Sequence, residues 1–367
     1  PWGTPYKIIN KKRIYPDRPM IKKALDLDLN EHATNFIHYL TVENGLIDPD
    51  IVDIIKDRDD NTWIATEKGI SRFDGEYFYN YSQNNLPISR RFTKLLLDSK
   101  GNIWIGTKEK GLIKYDGNGF TNFTVEDGLS SDTIIDIAED KKGKIWIATE
   151  KGLCAFYNNS FTKYNTNYDF FPEKSFFAEK KWISPRKSLG VEVDKFDNVW
   201  ILYSGLGLVK FDGKSFSLIQ AQGRLFLYAS TLLSDQNGNL WIGTYGGKIL
   251  KFDKKNITEY DNLKFSIEGI NSGSNDALWL ATSYSGYKFN HKEIMSVNKQ
   301  SGLRGNRVSS VLDNGNGVVF LGNKKHGLAV YKERNFKTLK KRNKLLAHDI
   351  SDVQVGKDGS LWISYWS

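Results

Sequence analysis

The chain has 367 residues, of which 40% are hydrophobic, 13% aromatic and 26% charged, enough apolar matter for a sizeable core and too much for disorder. Its 52 Lys and Arg exceed 43 acids by a net +9, but the excess is spread along the chain, which argues against a nucleic-acid footprint gathered on one element. The single cysteine, Cys154, excludes an intramolecular disulfide and any multi-cysteine metal site, and no apolar run approaches the roughly 18 residues of a membrane helix.

The first segment starts at Pro1 without a basic-then-apolar leader. A removed signal or an excised piece both account for that, and residues 1–23 read as an N-terminal extension. From residue 24 to 367 a single repeating domain is expected. Ala24 to Leu29 alternates through Leu25, Leu27 and Leu29, as a half-buried strand does. Leu40-Thr-Val-Glu-Asn-Gly-Leu46 then matches Phe123-Thr-Val-Glu-Asp-Gly-Leu129, the outer strand and exit turn of a repeat unit.

The units themselves follow. GNIWIGTKEKGLIKYDGNGF (Gly101 to Phe120), GKIWIATEKGLCAFYNNSF (Gly143 to Phe161) and GNLWIGTYGGKILKFDKKNI (Gly238 to Ile257) are one phrase. Its tryptophan falls at Trp63, Trp104, Trp146, Trp200, Trp241, Trp279 and Trp362, with Phe320 as the seventh of eight copies. The spacings are 41, 42, 54, 41, 38, 41 and 42 residues. Each unit reads as four short strands, with period-2 apolar runs bounded by Gly, Asn and Asp turns. A four-stranded sheet of this size cannot bury both of its faces alone, and radial stacking covers them. The expected fold is therefore all-β, a β-propeller of four-stranded blades with the tryptophans packed between neighbours. Eight blades are expected, one of them split between the chain ends; seven blades with a leftover terminal segment is the alternative.

The phrase D-x-x-G-N-x-W-I-G-T-x-x-G-L-x-x-F/Y-D, with an aromatic strand and D-G-L after it, resembles the two-component regulator propeller repeat over about residues 35–367. The resemblance implies the sensor region of a bacterial two-component system: a ligand-recognition module, often for glycan fragments, in a periplasmic, cell-surface or secreted protein. No transmembrane helix, kinase core or DNA-binding segment is read in the chain, so an excised sensor region or a free-standing secreted relative is implied. The pattern is weakest in the sixth and seventh copies. The sialidase Asp-box is one residue shorter than the Asp98-to-Trp104 turn, and the Gly-His and Trp-Asp pairs of WD repeats are absent. Streptogramin-lyase-like propellers share the general rhythm.

In a four-stranded meander the turns after the second strand and the connections between blades share one face. The first set begins with Glu67, Lys108, Glu150, Ser204, Tyr245, Ser283, Lys324 and Trp366, the second with Asp50, Arg91, Thr133, Lys187, Tyr228, Ser266, Arg307 and Asp349. These rings are expected to rim the mouth of the central channel, where pockets form. The first three blades keep charged turns. Later blades place Tyr203, Tyr245, Tyr284, His326 and Trp366 on turns, and Arg224, Tyr228, Arg304, Arg307 and His348 on the connections. Tyrosine and tryptophan supply flat faces with a polar edge, and arginine a fork for carboxylate or sulfate. A sugar or acidic oligosaccharide suits that set. An insert over about 165–187, between blades three and four, carries Phe170, Phe171, Phe176, Phe177 and Trp182. It is expected to fold over the rim, bringing Trp182 and Lys187 to the ligand, or to lie against its own blade.

Chemistry beyond binding is thinly supported. His32, His38, His291, His326 and His348 make no metal-ligand spacing, so no metal and no cofactor are expected. Cys154 reads as a buried, inert thiol. The Lys337-to-Lys344 basic run reads as a solvated connection. The expected partner is a small ligand, an oligosaccharide foremost; a homodimer or a sensor-kinase context are the macromolecular partners left open, and neither nucleic acid nor a membrane span is expected. The enzymatic alternative is a lyase or glycoside hydrolase using His326 or His348 with Tyr245 or Tyr284, and a scaffold role through the insert is the third class.

Overall fold

Alternating apolar residues between Gly, Asn and Asp turns form antiparallel sheets, and the computed structural model describes them over residues 4–7, 13–14, 19–24, 37–82, 91–164, 188–203, 207–219, 228–315, 317–332, 350–355 and 361–365. The chain divides into the units Pro1–Lys332 and Glu333–Ser367. In the first, six sheets run in chain order from innermost to outermost strand: 51–81, 92–123, 134–164, 188–219, 229–262 and 267–297 are blades one to six. Blade seven joins Val308–Gly315, Val318–Asn323 and Gly327–Lys332 to an N-terminal strand. Every innermost strand carries a one-residue bulge near its start, from Ile51/Asp53 in blade one to Val308/Ser310 in blade seven. Such bulges add local twist.

Four N-terminal strands wrap the blades in reverse order. β1 (Thr4–Lys7) pairs with the outer strand of blade three, β2 (Arg13–Ile14) with that of blade two and β3 (Met20–Lys23) with that of blade one. β4 (Ile37–Leu40) then becomes the fourth strand of blade seven, in register Leu40↔Leu328 to Ile37↔Tyr331. The expectation of eight blades is corrected here. The outer strand supplied by the N-terminus completes the seventh copy, and the innermost strand of that copy packs directly on that of blade one, so the ring closes at seven. The eighth copy is a separate two-stranded hairpin, Ile350–Val355 with Leu361–Tyr365, in the second unit. The third strand expected at Ala24 to Leu29 lies outside the described residues beyond Ala24, whose N–H meets the Glu76 carbonyl at 2.8 Å.

The core is a ring of seven clusters, each between neighbouring blades. Trp63 packs with Phe92, Ile103 and Phe120 of blade two, Trp104 with Ile145 and Phe161 of blade three, and so on around to Trp279 with Val311 and Leu321 of blade seven. The last cluster sets Phe320, Leu328 and Leu40 against Ile51, Ile54, Ile64 and Phe78 of blade one. Trp63, Trp104, Trp146, Trp200, Trp241 and Trp279 are buried, and so serve the packing between blades. Their indole N–H groups explain the repeat phrase: Trp63, Trp104, Trp146, Trp200 and Trp241 donate to Oδ2 of Asp57, Asp98, Asp140, Asp194 and Asp235 at 2.7–3.0 Å. The other oxygen of each aspartate takes the backbone N–H four residues on, at 2.8–3.0 Å. Between them the chain passes through a left-handed residue, which is why Gly101, Gly143 and Gly238 stand there.

Candidate functional site

The two rings read from the sequence are bonded to each other, residue by residue. The N–H groups of Glu67, Lys108, Glu150, Tyr245, Ser283 and Lys324 donate to the carbonyls of Asp50, Arg91, Thr133, Tyr228, Ser266 and Arg307 at 2.8–3.1 Å. One face of the ring therefore gathers both sets in the six blades where they are described.

On that face Tyr228 and Tyr245 are 62% and 59% exposed, side by side through their own backbone hydrogen bond. Tyr284, on the next blade, is 42% exposed and stacks on Phe265 with centroids 4.2 Å apart and planes 10° from parallel. Arg307 holds Glu268 of blade six, Nε to Oε2 at 2.9 Å. Arg304 lies 4.8 Å from the centre of the Tyr39 ring, and its N–H donates to the Tyr39 hydroxyl. His326 is exposed on the blade-seven turn. Tyr203 is different: it is 2% exposed and packs with Trp146, Val191 and Ile201. Its place in the expected set is corrected, because the last residue of the second strand points into the sheet core. Arg224, His348, Trp366, Trp182, Lys187 and the whole 165–187 insert lie outside the described residues.

A group of charges just inside the mouth was missed in the sequence. Counting three residues on from each inner-ring position gives Asp53, Lys94, Asp136, Gly190, Thr231, Gly269 and Ser310, the residues that follow each bulge. Lys94 Nζ lies 3.8 Å from Asp53 and 3.9 Å from Asp136. Asp53 also accepts from Leu95 N–H at 2.9 Å and the Ser310 hydroxyl at 2.9 Å, and Asp136 from Val191 N–H at 3.0 Å. The carboxylates thus satisfy inner strand edges that no further strand covers. Asp53 holds the Lys94 ammonium above the usual lysine range against its burial, and burial raises Asp136. Glu192, one step deeper, is pushed up to about 8 by burial and by Asp136. The missed signal was register, since these residues align only once the bulge is counted. Cys154 is buried, and burial pushes its thiol up to about 11, as suits an inert core group. Among the described residues no group of three or more His, Cys, Asp or Glu could hold a metal ion, and no helix is long and apolar enough to cross a membrane.

Residues 85–109, 128–151 and 216–246 match the family described as two component regulator propeller. Among solved structures, the chain is similar to the extracellular domain of the putative hybrid two component system BT3049 from B. thetaiotaomicron, with TM-score 0.69 and 20% identity over 90% of this chain and 46% of that one. The extracellular domain of the putative one component system BT4673 from the same organism gives 0.64 and 15%, over 90% and 45%. A catalytically inactive virginiamycin B lyase from Staphylococcus aureus with quinupristin gives 0.65 and 12%, over 81% and 99%. The chain thus spans under half the length of the two sensor domains, and likeness at these identities speaks to the fold alone. No curated protein sequence matches it.

Proposed function

Because the chain is a propeller built of two-component regulator repeats, we propose that it is the ligand-recognition part of an exported sensor, taking a glycan or other small ligand at the rim of blades five to seven. The observation that carries this reading is the exposed aromatic run Tyr228, Tyr245 and Tyr284, the last already stacked on Phe265. Large aromatics grouped on one exposed face are unusual unless they bind something. The corresponding turns of blades one to three carry Glu67, Lys108 and Glu150. Stacking on the tyrosine rings would hold a sugar face, and the neighbouring Arg304 and Arg307 would clamp an acidic substituent. Complementarity suffices for this task, without an acid–base pair.

The test is a thermal-shift and calorimetric screen of neutral and acidic oligosaccharides, with product analysis by mass spectrometry. A stabilising sugar recovered intact, and lost as a ligand by Tyr245→Ala, supports recognition at this rim. Cleaved sugar would move the chain to the lyase or glycoside hydrolase class. No response to any glycan would sink the glycan reading.

A further inference from the structure

Asn323 breaks a side-chain pattern that five other blades keep. There the second strand ends in a buried threonine: Thr66, Thr107, Thr149, Thr244 and Thr282. Each donates its hydroxyl to the carbonyl of Gly69, Gly111, Gly152, Lys248 or Ser285 at 2.7–3.3 Å, and accepts a backbone N–H from the turn. Blade seven has Asn323 at this position, 0% exposed, and neither Oδ1 nor Nδ2 has a hydrogen-bond partner among the described residues. Its turn is held through backbone N–H donors instead: Gly327 N–H to the Pro49 carbonyl at 3.1 Å and Lys325 N–H to the Asp50 side chain, Oδ1, at 3.0 Å. Burying an amide with nothing to bond is costly, and threonine is the satisfied alternative that the same chain uses five times.

The surroundings indicate what the amide is for. Asn323 Oδ1 and the His326 ring edge both lie against Gly305, where an added Cβ would come within 2.7 Å of the oxygen and 2.5 Å of the ring. His326 and its chain neighbour Lys325 are exposed, as are Arg304 and Arg307 on the connection whose Arg307 carbonyl accepts from Lys324 N–H. Glu268 and Asp50 are the carboxylates that meet this group, one through the Arg307 side chain and the other through a backbone N–H.

Resting on the ligand-recognition reading above, we infer that Asn323 is a specificity-determining residue for an oxyanion on the ligand, a carboxylate or a sulfate. The exposed imidazole of His326 turns aside, the Asn323 amide donates to the oxyanion and its carbonyl oxygen accepts from a neighbouring hydroxyl, while Arg304 and Arg307 supply the charge. The experiment compares the wild type with Asn323→Thr, and with the exposed Arg307→Gln as a second variant. Glucuronate and inorganic sulfate are titrated at constant ionic strength, with glucose and chloride as controls. The wild type is expected to bind glucuronate, sulfate or both, and whichever anion binds names the group recognised. Asn323→Thr is expected to weaken that binding about tenfold while raising the ligand-free Tm by about 2 °C. A wild type indifferent to both anions overturns the inference, as does an Asn323→Thr protein that binds them unchanged or melts lower. Binding of neutral glycans through Tyr245 would survive that failure, so the two readings fail separately.

Discussion

Behind the same bulge of the innermost strand, blades one to three place Asp53, Lys94 and Asp136, whereas blades five to seven place Thr231, Gly269 and Ser310. The outer edges differ in the same sense. β3, β2 and β1 cover blades one, two and three, while the outer strands of blades five and six pair with no further strand among the described residues. The rims differ too, charged turns giving way to exposed tyrosines. The repeat phrase also loosens: Gly273 stands where five blades have the anchoring aspartate, and the Trp279 indole N–H has no acceptor among the described residues. Ser274 still crosses to blade seven, donating its N–H and hydroxyl to Asp313 at 2.7 and 2.9 Å, as Ser99 of blade two does to Glu139. One side of the ring spends its polar groups on its own strand edges. The other leaves polar and aromatic groups facing outward, which is where departures from local consistency are expected when a site is present.

The contrast can be broken most heavily at the core. Trp104→Ala removes a buried indole from between blades two and three, and a loss of about 3–5 kcal/mol in urea denaturation is expected. Asp98→Ala leaves the Trp104 and Asn102 donors without their acceptor. It should cost about 1–3 kcal/mol, an effect with no counterpart in blade six, where the aspartate is already missing.

Inside the channel the expected effect is smaller and depends on pH. Glu192 binds its proton more tightly in the folded chain than in the unfolded one. Stability should therefore fall as pH rises from the ordinary glutamate range to about 8, and level off beyond. Glu192→Gln should flatten that slope in melting curves taken at three pH values across this range, and an unchanged slope would remove Glu192 as its source. Smallest of all is Tyr245→Ala: at an exposed rim position it should shift stability by no more than about 0.5 kcal/mol. A substantial drop in Tm would mean that Tyr245 serves the fold instead of a ligand.

Much of this is legible in the amino-acid sequence. Local patterns carried the blade unit, because alternation, glycine turns and the recurrent tryptophan are decided over a few residues. They also carried the two rim rings as sets, while the bonding of one ring to the other residue by residue came from the structure. Tyr203 was misread because it sits at the boundary between strand and turn, where one step in register exchanges rim for core. Asp53, Lys94 and Asp136 were passed over because they are 41 and 42 residues apart and meet only when three blades are set side by side. Asn323 carries no local mark in the sequence; only the five satisfied threonines at the equivalent position set it apart.

By itself, then, the sequence determined a propeller of four-stranded blades, its interblade tryptophans and the face on which its turns converge, since each follows from contacts within one repeat or between adjacent repeats. The number of blades was decided only in three dimensions. Closure depends on β4 pairing with a strand almost three hundred positions away and on the innermost strand of blade seven meeting that of blade one. Which copy receives the N-terminal strand is set by the twist and packing accumulated around the ring, and eight similar phrases in a row contain no local mark of where that ring shuts.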